Sequence, residues 1–261
     1  MRKDYHMHPQ VLRYPERFAL YAERALQKNI TEICVTDHMP LSVSSASDRI
    51  PHGAVKQYCN AVRELAKVYE GRIRIKCGIE IDYHKSVLPE IEAVLGEGEF
   101  DFVLASSHMH VFLKDYAAYT RNDFAAAALE NAVQAVETGW FHALSHPDMY
   151  RFAFENATRF PFIPDTYSPQ QHKALICELL DRVAAQKMYL EINPHLAESK
   201  GDLFYTYPEA PIVAWAKERG VRFSYGSDAH KPESVGALLD ELEAHPVYGE
   251  ALQAWECAPP K

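Results

Sequence analysis

Residues 101–110, Asp-Phe-Val-Leu-Ala-Ser-Ser-His-Met-His, join an apolar run directly to metal-type ligands. The run has the length of a β-strand, and near-continuous apolar stretches are typical of strands that are covered on both faces. His108 stands where such a strand would end. A barrel of parallel strands gathers its carboxyl ends at one rim, and active sites on that architecture are built there. This stretch therefore predicts a buried parallel strand that delivers a histidine to a site.

Five other strand-like segments end in the same way. Each closes on histidine, aspartate or glutamate; the endings are His6-x-His8, Asp37-His38, Glu80, His146 and Asp228-x-His230. Side chains two residues apart on a strand share a face, so a His-x-His pair can hold one ion from a rigid backbone. Imidazole and carboxylate groups that meet at a rim form a site for several divalent metals. The six endings together predict a metal centre.

Strand-like and helix-like segments alternate along the whole chain. Strands are predicted over residues 4–8, 32–38, 73–82, 101–108, 140–146, 188–193 and 221–227. Helices are predicted over residues 15–28, 54–70, 87–95, 121–138, 168–187, 208–219 and 232–243. Such a series indicates a parallel sheet with right-handed crossovers. Because seven βα units fall one short of the eight-stranded barrel, we predict an α/β fold with a distorted (β/α)7 TIM-like barrel, formed by one domain over residues 1–261.

Composition narrows the class of protein. Hydrophobic residues make up 48% and charged residues 24% of the chain, as in soluble globular proteins. No stretch approaches the roughly 18 apolar residues of a membrane span, and the first residues lack an apolar signal segment. The five scattered cysteines, Cys257 among them, indicate reduced thiols and a cytoplasmic protein. A net charge of −9 without a basic run disfavours nucleic acid as a partner. The sequence leaves the oligomeric state open.

Some endings offer more than one candidate ligand. Glu80 and Asp82 point to the same face of their strand, and spacing alone favours Glu80 as the ligand. The two oxygens of its carboxylate could bridge two ions. His38 is the better candidate than its neighbour Asp37. His110 lies at or past its strand end, so both readings stay open for it. Gly226 is expected to allow close approach of the backbone to a ligand. Six histidines are read as ordinary structural residues; they are His52, His84, His142, His172, His195 and His245.

These residues, in this order, resemble the PHP (polymerase and histidinol phosphatase) superfamily from Asp4 to about Gly236. The segments Glu191-Ile192-Asn193, Tyr207-Pro208 and Gly226-Ser227-Asp228-Ala229-His230 are similar to its histidinol-phosphatase branch. The resemblance implies a PHP-type barrel with two or three divalent ions, zinc, manganese or iron. The implied ligand sets are His6, His8, Glu80 and Asp228 for the first ion, Glu80, His108 and His146 for the second, and His38 with His230 for the third.

Two positions depart from the family pattern. Many members carry a further histidine where this chain has Tyr14, so the third ion keeps two of its usual protein ligands. Weak binding, recruitment of Tyr14 or water, and absence of this ion all remain open. Histidinol phosphatases also tend to place a phosphate-binding arginine shortly after the position of Asn193, where this chain reads Pro194-His195 and reaches a cation only at Lys200.

The resemblance implies metal-assisted hydrolysis of a small phosphomonoester, most simply L-histidinol phosphate. A hydroxide shared by two ions would attack phosphorus, and the ions would neutralise the phosphoryl oxygens. Asp228, His230 and His38 are the candidate catalytic residues, with His230 or His38 protonating the leaving oxygen if the third ion is missing. Four cations are candidates to bind the phosphate; Arg151 and Arg159 in the loop after His146 rank first, followed by Lys200 and Arg13.

Three alternatives stay open. A related phosphoesterase could act on another small phosphate, such as a nucleotide or a sugar phosphate. An amidohydrolase-like C–N hydrolase also begins with His-x-His on a barrel strand, but that class commonly bridges its metals with a modified lysine, and Glu80 stands at the equivalent strand end. A metal-binding interaction module without catalytic activity is the third.

Overall fold

The structure, a computed structural model, describes residues 1–44, 46–113, 115–156, 158–253 and 255. Within these residues seven parallel strands form one sheet in sequence order. The strands are β1 Arg2–Asp4, β2 Ile30–Val35, β3 Arg74–Asp82, β4 Phe102–Ser106, β5 Ala143–Leu144, β6 Tyr189–Ile192 and β7 Arg222–Tyr225. A sheet of this order places each strand beside its neighbours in the chain, as the series of βα units predicts.

The sheet closes on itself beyond the ends of its first and last strands. The backbone N–H of Tyr5 donates to the carbonyl of Tyr225 at 3.0 Å, and that of Asp228 donates to the carbonyl of His6 at 2.7 Å. Met7 and Ala229 form a parallel bridge in the same seam. The expected distorted seven-stranded barrel is confirmed.

Helices cover the outside of the sheet. Their bounds are α1 Phe18–Gln27, α2 Val55–Val68, α3 Leu88–Glu97, α4 Met109–Phe112, α5 Arg121–Glu137, α6 Tyr150–Phe154, α7 Lys173–Ala185, α8 His195–Lys200, α9 Ala210–Glu218, α10 Leu239–Ala244 and α11 Pro246–Gln253. Short 3-10 turns lie at Pro15–Arg17, Lys85–Val87, Tyr116–Ala118, Pro169–His172, Leu203–Tyr205 and Pro232–Ser234. Each predicted helix overlaps an observed one, and α3 and α10 extend past their predicted ends. The short helices α4, α6 and α8 in the rim loops and the helix α11 are additional.

Local chemistry explains where several of these helices begin and end. Thr120 and Asp123 form a capping box at the start of α5, which begins at Arg121, the first residue of the predicted helix. Ser168 caps the turn that leads into α7, as its sequence predicts. Gly139 and Gly220 both have φ of +68°, a left-handed conformation that ends a helix and favours glycine.

The strands are shorter at their carboxyl ends than the apolar runs predict. β1 ends at Asp4, β2 at Val35 and β5 at Leu144, so the histidines that follow lie just past the ladder. Side-chain hydrogen bonds replace ladder bonds there; the N–H of Met7, for example, donates to Thr36 Oγ1 at 3.0 Å. This irregular rim is where the chain can turn several side chains toward one point.

Two further observations concern the whole chain. Among the described residues no helix is long and apolar enough to cross a membrane. Cys34, Cys59, Cys77 and Cys177 are free thiols, and Cys257 lies outside the described residues.

Candidate metal centre

The predicted ligands come together at the carboxyl rim of the barrel, and nearly all of them are buried. Glu80 lies at the centre, 0% exposed, on β3. Its Oε2 lies 2.7 Å from His38 Nδ1 and 3.5 Å from both His6 Nε2 and His8 Nε2. Its Oε1 lies 3.0 Å from His146 Nε2. One carboxylate therefore faces imidazoles on both of its oxygens, the arrangement that a bridging ligand requires.

Asp228 completes one side of this cluster. Its Oδ1 lies 3.1 Å from His8 Nε2 and 3.7 Å from His6 Nε2. Ligand atoms of His6, His8 and Asp228 all lie within 4.8 Å of one another, and the same holds for His6, Glu80 and His146. Both groups are buried, and each combines nitrogen and oxygen ligands. Zinc, iron and manganese all accept such a set of ligands.

His108 reaches the cluster from the end of β4. Its Nε2 lies 3.5 Å from Glu80 Oε1, while its Nδ1 lies 2.6 Å from Asp82 Oδ1. Asp82 also forms an ion pair with Arg49 Nη1 at 2.6 Å. Asp82 therefore orients His108 through the ring nitrogen that faces away from Glu80, which is the usual role of a carboxylate behind a ligand. The sequence alone did not assign this role to Asp82 or find Arg49.

Glu191 plays the corresponding part behind His6. It is 1% exposed on β6, and its Oε1 lies 2.7 Å from His6 Nδ1. Its Oε2 accepts hydrogen bonds from the N–H of His146 and from Asn193 Nδ2, both at 3.1 Å. A carboxylate inside an apolar strand was the signal that singled out Glu80, and the same signal is present at Glu191.

Gly226 lies in a tightly packed part of the rim. A Cβ at this position would lie 2.1 Å from Glu191 Oε1 and 2.4 Å from His6 Cβ. The glycine thus permits close packing of His6 against Glu191, and its close approach to a ligand stays a prediction.

Backbone conformation is unusual at two of the ligands. His146 has φ of +23° and Asp228 has φ of +55°, both in the left-handed region that non-glycine residues rarely adopt. Residues held in such conformations cluster at functional sites, where the surrounding structure pays for the strain. The turn at His146 also explains why β5 ends after Leu144.

The donor set fits divalent cations. Seven buried ligand-type atoms make no hydrogen bond of good geometry within the described residues, although His38 Nδ1 and His8 Nε2 lie close to carboxylate oxygens. The seven are His6 Nε2, His8 Nδ1, His8 Nε2, His38 Nδ1, His108 Nε2, His146 Nδ1 and Glu80 Oε2. Each buried polar atom without a partner reduces the free energy of unfolding by about 1–3 kcal/mol. A group of such atoms in one place therefore indicates a missing partner. A cation that accepts their lone pairs would supply it.

The electrostatics of the cluster differ between its members. Burial lowers the pKa of His6, but the nearby carboxylates of Glu191 and Asp228 outweigh this effect and raise the pKa well above 6.5. Burial alone raises the pKa of Glu80, but the imidazoles of His38 and His6 hold it well below its usual range. Burial also raises the pKa of Asp228, but the neighbouring His6 outweighs this effect and holds the pKa well below its usual range. Burial and the neighbouring His38 hold the pKa of His8 well below 6.5. Ionised carboxylates and a neutral imidazole are the forms that bind metal.

A cavity of about 560 Å³ opens above the cluster. Arg159 and His110 line it, together with Asp48, and it is walled on one side by apolar side chains such as Phe152 and Val111. Burial lowers the pKa of His110 to about 3, so this histidine is neutral. Its ring lies 5.4 Å from that of His108, and it belongs to none of the groups of three ligands found among the described residues.

The other candidate phosphate ligands lie elsewhere. Arg151 is 5% exposed; its Nε forms an ion pair with Glu209 at 3.0 Å, and its Nη atoms donate to the carbonyls of Thr206 and Phe204. Its guanidinium is thus engaged inside the protein, and Arg151 is dropped as a phosphate ligand. Lys200 forms an exposed ion pair with Glu155 at 3.1 Å.

Arg13 donates to the carbonyl of Ser47 and lines a smaller neighbouring cavity of about 320 Å³. Of the four cations named by the sequence, Arg159 is the one that lines the cavity over the cluster.

Two histidines form the outer part of the cluster. His8, His38 and His230 make one group whose ligand atoms lie within 4.8 Å of one another, and His195, Asp228 and His230 make another. His195 lines the cavity over the centre. The sequence-based reading as an ordinary structural histidine did not anticipate this position beside the candidate ligands. His195 stands at the start of α8, after the turn that leaves β6, and sequence position alone gave no sign that this turn folds toward β7.

Known proteins resemble this chain in both sequence and fold. The family model described as PHP domain matches residues 4–195. A probable histidinol-phosphatase of Deinococcus radiodurans is 28% identical over 225 residues, which cover 83% of this chain and 81% of that protein. The histidinol-phosphatase of Bacillus subtilis is 24% identical over 260 residues, covering 90% and 96%.

Among solved structures, a histidinol phosphate phosphatase of Lactococcus lactis, crystallised with zinc, L-histidinol and phosphate, aligns with a TM-score of 0.73. Its identity is 20%, and the alignment covers 96% of this chain and 93% of that one. This likeness establishes a shared fold.

Proposed function

The chain belongs to the PHP domain family, and from this premise we propose that it is a metal-dependent phosphomonoesterase that hydrolyses L-histidinol phosphate to L-histidinol and phosphate. The observation that carries the proposal is the buried cluster around Glu80, in which imidazoles face both carboxylate oxygens at the floor of an open cavity. The names of the three curated relatives support the choice of substrate.

Two divalent ions fit the cluster. His6, His8, Glu80 and Asp228 would hold the first ion, and Glu80, His108 and His146 the second. When bound, such ions lower the pKa of water toward neutrality and neutralise the charge of phosphoryl oxygens. Asp82 and Glu191 keep the rings of His108 and His6 in place, since each accepts from the ring nitrogen that faces away from Glu80.

Charged residues at the cavity wall would position the two ends of the substrate. Arg159 would bind the phosphate, because a guanidinium can donate two parallel hydrogen bonds to it. Asp48 would bind the ammonium group of histidinol. Its Oδ1 is buried and makes no hydrogen bond to any residue that the structure describes, so it is available as an acceptor.

Proton transfer to the leaving alkoxide falls to His230 or His38 when these rings hold no cation. Both line the cavity, and their ring centroids lie 5.8 Å apart. Burial lowers the pKa of His38, but the neighbouring Glu80 outweighs it and raises the pKa to about 9. A protonated His38 could act as the general acid at the leaving oxygen, and its position beside the cavity supports that role.

Another small phosphomonoester is the second candidate substrate. It is favoured by one observation: residues 194–200 offer no arginine, and Lys200 is engaged with Glu155. An amidohydrolase-like reaction has less support, because no lysine lines the described cavity wall where a modified lysine would have to stand.

Release of phosphate from L-histidinol phosphate, with metal content measured on the same sample, tests the proposal. We expect efficient release by protein that holds at least two ions per chain, and loss of both metal and activity in Glu80→Ala and His146→Ala. His52→Ala, at an exposed histidine, is the matched control. Bound metal with negligible release from this substrate, but release from a nucleotide or sugar phosphate, would contradict the assigned substrate and leave the reaction class intact.

A further inference from the structure

His195 is built into the rim in a way that resembles the metal-type histidines. Its backbone N–H donates to Asn193 Oδ1 at 2.9 Å, which fixes the start of α8. Its ring Nδ1 lies 3.1 Å from the backbone carbonyl of Asp228. Its ring centroid lies 5.4 Å from that of His230. The side chain is thus held from two sides and directed into the cavity that it lines.

The same carbonyl orients His230, whose Nδ1 lies 2.9 Å from the oxygen of Asp228. A carbonyl oxygen has two lone pairs and can accept from both rings. Because a carbonyl can only accept, Nδ1 must carry the proton in each histidine. Each neutral ring then presents Nε2 as a free lone pair. Histidines that bind metal usually donate their other N–H to a carbonyl or carboxylate in this manner.

Tyr14 does not fill the place of the histidine that the family pattern expects. Its ring packs against Arg13 and Arg17, with each guanidinium 5.3 Å from the ring centroid. Tyr14 is not among the residues that line the cavity over the cluster. A third ion would therefore need its missing ligand from another part of the rim.

We infer that His195 supplies this ligand, so that a third divalent cation is held by His195, His230 and Asp228, with Asp228 in the place that the family pattern gives to His38. One ligand atom from each of these residues lies within 4.8 Å of the other two. The inference rests on the metal centre of the proposed function, because Asp228 is also a ligand of the first ion.

This arrangement changes the role of the outer histidines. With the third cation bound, His230 serves as a ligand, and His38, whose Nδ1 lies 2.7 Å from Glu80, remains closer to the bridging carboxylate. Many family members would then supply one ligand of the third ion from a histidine near position 14, whereas this chain would supply it from His195. The chain thereby keeps a complete third site without a histidine in the loop that follows β1.

Ion counting by mass spectrometry on protein dialysed against a Zn²⁺ buffer tests this inference. The variants are His195→Ala and His195→Asn, and the control is the exposed His52→Ala. Asparagine keeps an N–H that can donate to the carbonyl of Asp228 but lacks the imidazole, so it separates metal binding from folding. Circular dichroism and the thermal midpoint show whether each variant is folded. Competition with a chromophoric chelator gives the dissociation constant of the weakest ion.

We expect three ions in the wild type and in His52→Ala, and two in both His195 variants at the same free Zn²⁺. The weakest ion should bind at least about 100-fold less tightly in these variants, since loss of an outer-shell partner alone costs 10–100-fold in affinity. Three ions in folded His195→Asn, with unchanged affinity, would overturn the inference.

The number of ions bound by the wild type provides a second test of the third site. Two ions per wild-type chain together with full phosphatase activity would overturn the third site and leave the proposed function in place. A wild type that binds no ion would overturn the third site and the proposed metal centre together.

Discussion

Glu191→Gln is the substitution that most directly tests how the barrel supports its metal centre. The Glu191 carboxylate accepts hydrogen bonds from three donors. These are His6 Nδ1 at 2.7 Å, the backbone N–H of His146 at 3.1 Å and Asn193 Nδ2 at 3.1 Å. Glutamine has nearly the same shape but replaces one acceptor oxygen with an NH₂ group. That group must then meet one of these donors, and the affected hydrogen bond is lost.

The magnitude follows from the kind of bond that is lost. A hydrogen bond to a charged group contributes about 1.5–3 kcal/mol. Loss of an outer-shell partner costs about 10–100-fold in metal affinity, which corresponds to about 1.4–2.7 kcal/mol. The two estimates agree. Because His6 is the ring that Glu191 holds, we expect the dissociation constant of the first ion to rise about 10–100-fold.

Chelator competition measures this dissociation constant, and phosphate release is followed at increasing free Zn²⁺. Activity should fall at limiting metal and recover largely at saturating metal, since Glu191 touches a ligand and not the substrate. Glu178→Gln is the matched control, because Glu178 forms an exposed i,i+4 ion pair with Arg182. An affinity within threefold of wild type in folded Glu191→Gln would refute the reasoning.

Three further predictions concern the phosphate contact, the packing at the rim and the response to pH. Arg159→Ala should lower kcat/KM for L-histidinol phosphate about 10–100-fold through loss of a charge-assisted contact; unchanged steady-state kinetics would contradict its role. Gly226→Ala should reduce the free energy of unfolding by about 1–3 kcal/mol, because its Cβ would lie 2.1 Å from Glu191 Oε1; an unchanged urea midpoint would speak against this packing. Burial and the nearby Asp148 raise the pKa of Glu209 from 4.5 to about 7, so the folded state binds its proton more tightly than the unfolded state. Wild-type stability should therefore fall relative to Glu209→Gln as pH rises from 4.5 to 7, by about 2 kcal/mol, and parallel urea-melting curves across this range would exclude the effect.

The two candidate phosphate ligands in the loop after His146 show what local sequence patterns do not encode. Arg151 and Arg159 lie in the same rim loop, and nothing in their spacing separates them. Arg151 falls on the short helix α6, which turns its guanidinium inward to Glu209, a residue 58 positions later in the chain. Arg159 lies beyond that helix and lines the cavity. The difference depends on contacts between distant segments, and local patterns do not encode them.

Local sequence patterns predict the order of strands and helices and the type of candidate ligand at each strand end. They do so because the period of apolar residues and the residue that follows each strand are local properties of the chain. Tertiary structure alone decided how the residues behind those ligands are paired. Asp82 orients His108, Glu191 orients His6 across 185 positions, and the carbonyl of Asp228 orients both His195 and His230. Barrel closure brings these partners together, since hydrogen-bond direction and burial are set by three-dimensional neighbours and not by spacing along the chain.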